Sequence, residues 1–243
     1  MSIIDVDRGT EESLWRDCPV INSLPPLDLS SWQHRRVVVL AAHPDDEVLA
    51  AGGTLALLAE RRVPMTLVWA TRGEASHPNS TAPLAKHLAR LRVREAHAAL
   101  SRLGILGESV WLGLPDRGLK ERYVDLISAV RALHRPGDVW LAPFRDDGHP
   151  DHEACGRAAA EVTDDLVELP IWAWHASTPD DNSVPWHRAR AVSLPPDVMA
   201  RKAAAIAEFR TQVRPIGPGA ADGPVLPARV LDHFLRDFEV VLT

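Results

Sequence analysis

The sequence predicts an α/β fold in which a mostly parallel sheet is flanked by helices. Short apolar runs rich in β-branched residues, such as residues 36–40 and 138–143, are typical of strands buried on both faces. They alternate with Ala- and Leu-rich segments such as residues 48–61, whose apolar spacings of three and four residues indicate helices. With 243 residues and no internal repeat, the chain is long enough for one large domain with a sizeable core.

Composition and charge are those of an ordinary globular protein. Apolar residues make up 46% of the chain and charged residues 25%. The 33 acidic residues exceed the 27 basic ones, and this net charge of −6 argues against a nucleic-acid-binding surface. No window reaches the roughly eighteen apolar residues of a membrane span, and residues 1–30 lack a signal-peptide pattern. We therefore expect a cytoplasmic protein with no membrane span and no nucleic-acid partner.

The two cysteines are isolated from each other in the sequence. Cys18 and Cys155 form neither a CxxC motif nor a disulfide framework, which supports the cytoplasmic assignment. Cys155 lies three residues after His152, but a buried apolar role is favoured over metal ligation.

The first part of the chain predicts an arm, then a strand, a turn and a helix. Residues 1–34 show no clear period and are expected to form an N-terminal arm packed on a domain of residues 35–243. The strand at residues 36–40 cannot continue through Pro44, and the two aspartates after this proline are good helix caps. The helix at residues 48–61 therefore follows directly.

Later elements continue the alternation of strand and helix. Gly104 stops the second helix, and Pro196 opens the last long one. Strands are expected at residues 65–70, 110–112, 138–143, 169–174 and 190–194, helices at residues 86–103, 121–134, 153–162 and 197–212, and a short helix or strand within residues 231–243.

One sequence pattern occurs twice, each time where a buried strand ends and a helix begins. The first copy is His43-Pro44-Asp45-Asp46-Glu47 and the second is His149-Pro150-Asp151-His152. A single pair of aspartates would be explained equally well by helix capping. If the first and fourth strands are neighbours, as at the switch point of a doubly wound sheet, the two turns meet. The duplication therefore favours a metal site.

Three residues of these turns match the ligands of catalytic zinc. Such an ion takes about three protein ligands and keeps a position for water. His43, Asp46 and His152 supply two imidazoles and one carboxylate. Zn²⁺ is the expected cofactor, and Fe²⁺ accepts the same ligand set.

The neighbouring residues suit proton transfer. Asp45 is free to take a proton from a water that the metal activates. His149 is placed to hydrogen-bond the oxyanion that forms when water attacks a carbonyl, and Asp151 is expected to orient it. Glu47 either orients His43 or caps the helix, and the sequence leaves both roles open.

Two further polar positions are ambiguous from spacing alone. Arg92 and Glu95 lie three residues apart on one predicted helix, where a solvated ion pair is favoured over contact with a substrate. Asp116 follows the third predicted strand, and its role there is either turn formation or a site.

The paired motifs resemble those of the zinc-dependent deacetylases named for N-acetylglucosaminyl-phosphatidylinositol de-N-acetylase (PIG-L), often called the LmbE-like family. The first motif matches at residues 42–47 and the second at residues 149–152, and the order of elements agrees from about residue 35 to 212. The resemblance implies one Rossmann-like domain and the hydrolysis of an N-acetyl group on a glucosamine-containing small molecule. It implies zinc on His43, Asp46 and His152, Asp45 as general base, His149 as oxyanion partner, and Arg92 and Asp116 as substrate contacts.

The sequence departs from this family at one position near the expected oxyanion. Some members carry a tyrosine two residues before the first histidine of the second motif, where this chain has Asp147. Its only tyrosine is Tyr123.

Two alternative functions stay open. A non-haem iron oxygenase would use His43, Asp45 and a distant histidine as ligands. A catalytically silent sugar-binding protein would need neither the base nor the metal ligands and would be expected to lack one of them, whereas both motifs are complete here. The identity of the acyl group, the sugar or aglycone and the oligomeric state are not determined by the sequence.

Overall fold

The computed structural model describes residues 9–181 and 183–243; residues 1–8 of the expected arm and Asn182 lie outside that description. Within the described ranges seven strands form one sheet. These are β1 Val37–Ala41, β2 Met65–Trp69, β3 Glu108–Trp111, β4 Val139–Pro143, β5 Leu166–Leu169, β6 Ala189–Ser193 and β7 Phe238–Leu242. The α-helices are α1 Glu12–Arg16, α2 Pro19–Asn22, α3 Asp46–Glu60, α4 Leu88–Arg102, α5 Tyr123–Leu133, α6 Pro150–Ala160, α7 Ala173–Ala176, α8 Pro196–Ile206, α9 Arg210–Val213 and α10 Ala228–Leu231.

The sheet is mostly parallel, as the sequence predicts. Its order is β3-β2-β1-β4-β5-β7-β6, the first five strands in this order are parallel, and β7 runs antiparallel to both β5 and β6. The expected pairing of the first and fourth strands is confirmed, with Val37 opposite Val139 and Val39 opposite Leu141. The turns after β1 and β4 therefore lie side by side at the carboxyl edge of the sheet.

The central position of β1 explains its continuous apolar sequence. Val37, Val39 and Ala41 pack into the core cluster that α3, α4 and α8 share, while Val38 and Leu40 pack into the cluster of α5 and α6. Each of these side chains is at most 2% exposed. Helices thus cover both faces of the sheet, which is why no polar position interrupts the strand.

The predicted fifth strand at residues 169–174 is wrong in its bounds. The observed strand β5 ends at Leu169, because Pro170 has no N–H to donate to a neighbouring strand. The chain then turns into the short helix α7, and the apolar residues that resembled a strand are buried there instead. Short apolar runs do not distinguish a strand from a buried helix.

The described part of the N-terminal arm contacts the far end of the chain. Trp15 is fully buried, and its indole Nε1–H donates to the carbonyl oxygen of Trp174 at 2.8 Å. Glu12 accepts hydrogen bonds from the Arg236 guanidinium at 2.7 Å. The division into an arm of residues 1–34 and a domain of residues 35–243 stays a prediction. In the described part of the chain no helix is long and apolar enough to cross a membrane.

Candidate metal centre and active site

The turns after β1 and β4 bring three imidazoles and a carboxylate together. The ring centroids of His43 and His152 are 5.4 Å apart, and that of His149 lies 4.4 Å from His152 and 5.0 Å from His43. Asp46 lies between them: its Oδ1 is 3.2 Å from Nε2 of His152 and its Oδ2 is 3.6 Å from Nδ1 of His43. All four side chains line one cavity of about 550 Å³.

These separations fit the donor set of a divalent cation. Ligand atoms at about 2.1 Å from a tetrahedral zinc ion are roughly 3.4 Å from one another. The distances from Asp46 to both imidazoles are close to this value. Two sets of three side chains have donor atoms that all lie within 4.8 Å of one another: His43 with His149 and His152, and His43 with Asp116 and Asp151. In the predicted set, the two imidazoles face different oxygens of Asp46. The hydrogen bonds of each imidazole show which of its two nitrogens faces the centre.

His152 presents Nε2 to the centre because its other nitrogen is held from behind. Nδ1 lies 2.6 Å from Oδ2 of Asp147, so this carboxylate accepts the Nδ1 proton and leaves Nε2 facing Asp46. Burial opposes charge on the ring, but the carboxylates of Asp46 and Asp147 raise the pKa of His152 to about 9. Positive charge is thus stabilised at this point, whether a proton or a metal ion supplies it.

His43 is oriented in the same way by two carboxylates. Its Nε2 lies 3.2 Å from Oδ1 of Asp116 and 3.3 Å from Oδ2 of Asp151, so Nδ1 faces Asp46. Although burial lowers it, these carboxylates raise the pKa of His43 well above its usual value. The side chain of Asp151 therefore does not orient His149, as the sequence suggested, but contacts His43.

His149 has the hydrogen-bonding pattern of a donor. Its Nδ1 accepts the backbone N–H of Asp151 at 3.2 Å, which places the proton of the neutral ring on Nε2. Burial, together with the neighbouring His152 and His43, lowers the pKa of His149 to about 2, so the ring is neutral near pH 7. An Nε2–H group suits an oxyanion better than a cation.

Asp45 is held beside this centre in a strained conformation. Its φ of 137° is unusual for a residue with a side chain, and such backbone strain costs about 1 to 3 kcal/mol. Burial raises the pKa of Asp45 to about 7 even though the Arg92 guanidinium opposes the shift. A carboxylate with a pKa near neutrality is suited to accept a proton.

Glu47 holds the turn that carries Asp45. Its Oε2 accepts the backbone N–H of Asp45 at 3.1 Å, and burial raises the pKa of Glu47 to about 8, with the Asp45 carboxylate adding to the shift. Of the two roles left open by the sequence, this contact favours holding the backbone at the start of α3 over orienting His43.

Arg92 is buried, so the prediction that it forms a solvated ion pair with Glu95 is wrong. The Arg92 side chain is 3% exposed and donates to Asp45 Oδ2 at 3.0 Å, to the Pro44 carbonyl at 2.8 Å and to the Gly73 carbonyl at 2.9 Å. Glu95 instead accepts from the backbone and hydroxyl of Thr211.

The second expected substrate contact, Asp116, lies in the cavity wall with both oxygens in use. Oδ1 lies near His43, and Oδ2 accepts the backbone N–H of Ala75 at 2.7 Å. Burial opposes ionisation, but the His43 imidazole beside it lowers the pKa of Asp116 below its usual range. Arg92 lines the same cavity, and substrate contact by either residue stays a prediction.

Cys155 is fully buried among apolar side chains, as expected.

Asp147 is the residue that sequence reasoning missed as a part of the site. Besides His152, its carboxylate accepts three backbone N–H groups at 2.8 to 3.0 Å, those of Ile171, Trp172 and Ala173. It therefore connects the start of α7 to the candidate metal ligand. The signal in the sequence was an acidic residue five positions before His152, at the point where some family members carry tyrosine.

The iron-oxygenase alternative is not favoured by this geometry. It requires Asp45 as a metal ligand beside His43, whereas the Asp45 carboxylate is paired with Arg92. The parallel sheet with helices on both faces also differs from the double-stranded β frames of those enzymes.

A comparison with known families decides the relationship of this chain. The family described as GlcNAc-PI de-N-acetylase (PIG-L) matches residues 38–163, a little over half of the chain, and this range holds both His-Pro-Asp turns. The chain belongs to the PIG-L family. The resemblance inferred from the motifs is thereby confirmed.

Curated relatives of this PIG-L protein carry deacetylase names. A probable N-acetyl-α-D-glucosaminyl L-malate deacetylase 2 from Bacillus cereus is 33% identical over 135 residues, which cover 53% of this chain and 60% of the relative. A 1D-myo-inositol 2-acetamido-2-deoxy-α-D-glucopyranoside deacetylase from Mycolicibacterium smegmatis is 30% identical over 150 residues, covering 51% of each chain. The PIG-L chain thus spans about half the length of the curated relatives it matches.

A solved structure shares the fold. An N,N'-diacetylchitobiose deacetylase from Pyrococcus horikoshii superposes with a TM-score of 0.56 at 22% identity, covering 84% of this chain and 80% of that one. At this identity the likeness concerns the fold alone, and it confirms the expected LmbE-like, mostly parallel α/β architecture.

Proposed function

We propose that this PIG-L family protein is a zinc-dependent N-deacetylase. It hydrolyses an N-acetyl group, or another N-acyl group, on a glucosamine-containing small molecule and releases an amine and a carboxylic acid. The observation that carries the proposal is the position of the Asp46 carboxylate 3.2 Å from His152 and 3.6 Å from His43, with Asp45 beside it. Family membership and the names of the two curated relatives support it.

His43, Asp46 and His152 would hold the ion through Nδ1, a carboxylate oxygen and Nε2. Zinc in such a site supplies Lewis acidity, which lowers the pKa of a water molecule and polarises a carbonyl group. Asp147, Asp116 and Asp151 stabilise the ligands by fixing the orientation of the two imidazoles.

Side chains of the protein carry out the proton transfers. Asp45 accepts the proton of the attacking water, because Arg92 holds its carboxylate in place and burial keeps its pKa near neutrality. It returns this proton to the amine nitrogen as the C–N bond breaks. Nε2–H of His149 donates to the carbonyl oxygen as negative charge develops there, which stabilises the tetrahedral state. Arg92 and Asp116 remain our proposed substrate contacts in the cavity wall.

The activity is tested by amine release from a panel of N-acetylglucosamine conjugates. The protein loaded with stoichiometric zinc is compared with the same protein after chelation, and with protein loaded with ferrous iron under anaerobic conditions. Amine release that requires metal and no oxygen supports the hydrolase. Absence of release from every conjugate at full metal occupancy contradicts the removal of N-acetyl groups from such conjugates.

Replacing the proposed base separates metal binding from turnover. Asp45→Asn removes the proton acceptor without touching the ligand atoms, so kcat is expected to fall by a factor of about 10² to 10⁴ while zinc content is unchanged. Asp146→Asn, at an exposed carboxylate paired with Arg157, is the matched control and keeps full activity. Equal kcat in Asp45→Asn and wild type would refute the role of Asp45.

A further inference from the structure

Two arginines line the cavity, and their surroundings differ. The guanidinium of Arg92 is buried and donates to a carboxylate and two carbonyl groups. The side chain of Arg117 is exposed in the wall of the same cavity. Within residues 9–181 and 183–243, no hydrogen bond or ion pair involves the Arg117 guanidinium, although its backbone is firmly held.

The backbone of Arg117 is tied to the metal centre. Its φ of 65° lies in the left-handed region, which costs roughly 1 kcal/mol for a residue with a side chain. The backbone N–H donates to Oδ2 of Asp151 at 2.7 Å, and the same oxygen lies 3.3 Å from Nε2 of His43. The position from which the Arg117 side chain extends is therefore set by a residue that also orients a candidate metal ligand.

Of the two arginines that line the cavity in the described residues, Arg92 has a carboxylate partner and Arg117 has none. Asp46 and Asp116 lie against the imidazoles of His152 and His43, and Asp45 is paired with Arg92. Another part of the wall is apolar and offers the guanidinium no counter-ion: it includes Leu49, Ile171, Val225, Leu226, Val230 and Phe234. A bound molecule with a negative charge would supply the missing partner.

The chemistry of the guanidinium indicates the group it recognises. Its planar fork of N–H donors matches the paired oxygens of a carboxylate or a phosphate, and such charge-assisted pairs are roughly twice as strong as neutral hydrogen bonds. An uncharged hydroxyl or amide cannot offer two anionic oxygens to the same fork.

We infer that Arg117 binds an anionic group, a carboxylate or a phosphate, carried by the aglycone of an N-acylated amino sugar. This inference rests on the proposed deacetylase function, which places the N-acyl group at His43, Asp46 and His152. The aglycone then extends along the cavity wall to Arg117. Of the two curated relatives, one is named for a malate conjugate, which is anionic, and the other for an inositol conjugate, which is neutral. Arg117 supports the anionic class for this chain.

The test uses three N-acetylglucosaminides whose aglycones have similar size and end in a carboxylate, a phosphate monoester or a primary amide. For the full zinc-loaded chain, kcat/KM is measured on each compound and expressed as the ratio of anionic to neutral substrate. We expect wild type to prefer at least one anion and Arg117→Gln to lower that ratio tenfold or more. The anion whose ratio falls further identifies the recognised group. Arg117→Lys, which keeps the charge but loses the fork, should recover only part of the ratio.

Arg72→Gln is the matched control, because it removes an equal charge from an exposed arginine that does not line the cavity. It should leave the ratio of anionic to neutral substrate as in wild type. An Arg117→Gln ratio equal to that of wild type overturns the inference, as does a wild type that prefers the amide.

A binding measurement separates this inference from the activity itself. Dissociation constants of the three corresponding free amines are measured by calorimetry on wild type and Arg117→Gln. If wild type hydrolyses none of the three compounds, that result counts against the deacetylase proposal and not against Arg117. A preference for binding the carboxylate or phosphate that Arg117→Gln abolishes would still support Arg117 as the anion site. Equal binding of all three compounds, or binding of none, overturns it.

Discussion

The two ring nitrogens of His152 face different carboxylates, and this difference prepares the ring to bind a cation. Asp147 accepts the Nδ1 proton at 2.6 Å, so Nε2 is directed towards Asp46. Because three backbone N–H groups hold the Asp147 carboxylate, it cannot rotate away from the imidazole without leaving them unpaired. The orientation of the ligand is thus built into the protein before any ion binds.

Asp147→Asn is expected to weaken zinc binding by a factor of about 10 to 100. The amide can still accept from the backbone of Ile171 and Ala173 through its oxygen, but its NH₂ group would face the N–H of Trp172 and Nδ1 of His152. The zinc dissociation constant is measured by competition with a chromophoric chelator. Asp146→Asn changes the neighbouring exposed carboxylate and should bind zinc as wild type does. Equal zinc affinity in the two variants would refute the role of Asp147 in orienting His152.

Helix α6 carries His152, and its distance from the sheet depends on a glycine. A Cβ atom at Gly156 would collide with the carbonyl oxygen of Pro143 and lie 2.8 Å from the backbone nitrogen of Arg145. Both are backbone atoms at the end of β4, so they cannot move aside as a flexible side chain can. The close approach of α6 to β4 therefore requires the absence of a side chain at this position.

Gly156→Ala should lower the free energy of unfolding by roughly 1 to 3 kcal/mol, even though alanine favours helix by about 1 kcal/mol. Zinc affinity should fall as well, because the displaced helix carries His152. Gly52→Ala in α3 is the matched control, since the nearest atom to an added Cβ there is Cγ1 of the Val48 side chain at 3.3 Å, which can shift slightly, and not a backbone atom. Urea unfolding of the metal-free proteins compares the two. A Gly156→Ala protein as stable as Gly52→Ala would refute the packing argument.

At the scale of the whole molecule, the two ends of the described chain are joined by a buried cluster of charges. Glu12 near the start contacts both His233 and Arg236, which lie more than 220 positions later. Burial alone would raise the pKa of Glu12, but the hydrogen bonds from Arg236 and His233 lower it to about 2. Phe234, between these two partners, lines the cavity, so the arm supports a wall of the candidate site.

Glu12→Gln should destabilise the protein by about 3 to 5 kcal/mol at pH 7, because it leaves the buried Arg236 without its counter-ion. The folded-state pKa of Glu12 is below its unfolded value of 4.5, so the stabilisation is complete above pH 4.5 and is lost as the pH falls towards 2. The difference between wild type and variant should therefore be smaller at pH 3.5 than at pH 7 in urea unfolding. Glu11→Gln, at the exposed neighbour, should show little difference at either pH. A Glu12→Gln difference that is constant with pH would contradict this account.

Much of the fold and several parts of the site were predictable from local patterns. The apolar runs, the alternation of strand and helix and the two His-Pro-Asp turns each lie within about a dozen consecutive residues. The pairing of β1 with β4 followed from the usual order of doubly wound sheets. The error at residues 169–174 arose because a short apolar run fits a strand as well as a buried helix, and the backbone N–H groups of Ile171, Trp172 and Ala173 are bound by Asp147 rather than by a neighbouring strand.

The sequence by itself predicted an α/β domain of the PIG-L type, because hydrophobic period and motif spacing are local properties. The usual strand order of doubly wound sheets then placed the turns that carry His43, Asp46 and His152 side by side. Only the tertiary structure decided what holds them. The contacts of Arg92 with Asp45 and of Asp151 with His43 join residues 47 and 108 positions apart. Such contacts depend on which side chains are buried together and on which donors the backbone leaves unpaired, and neither quantity can be read from spacing along the chain.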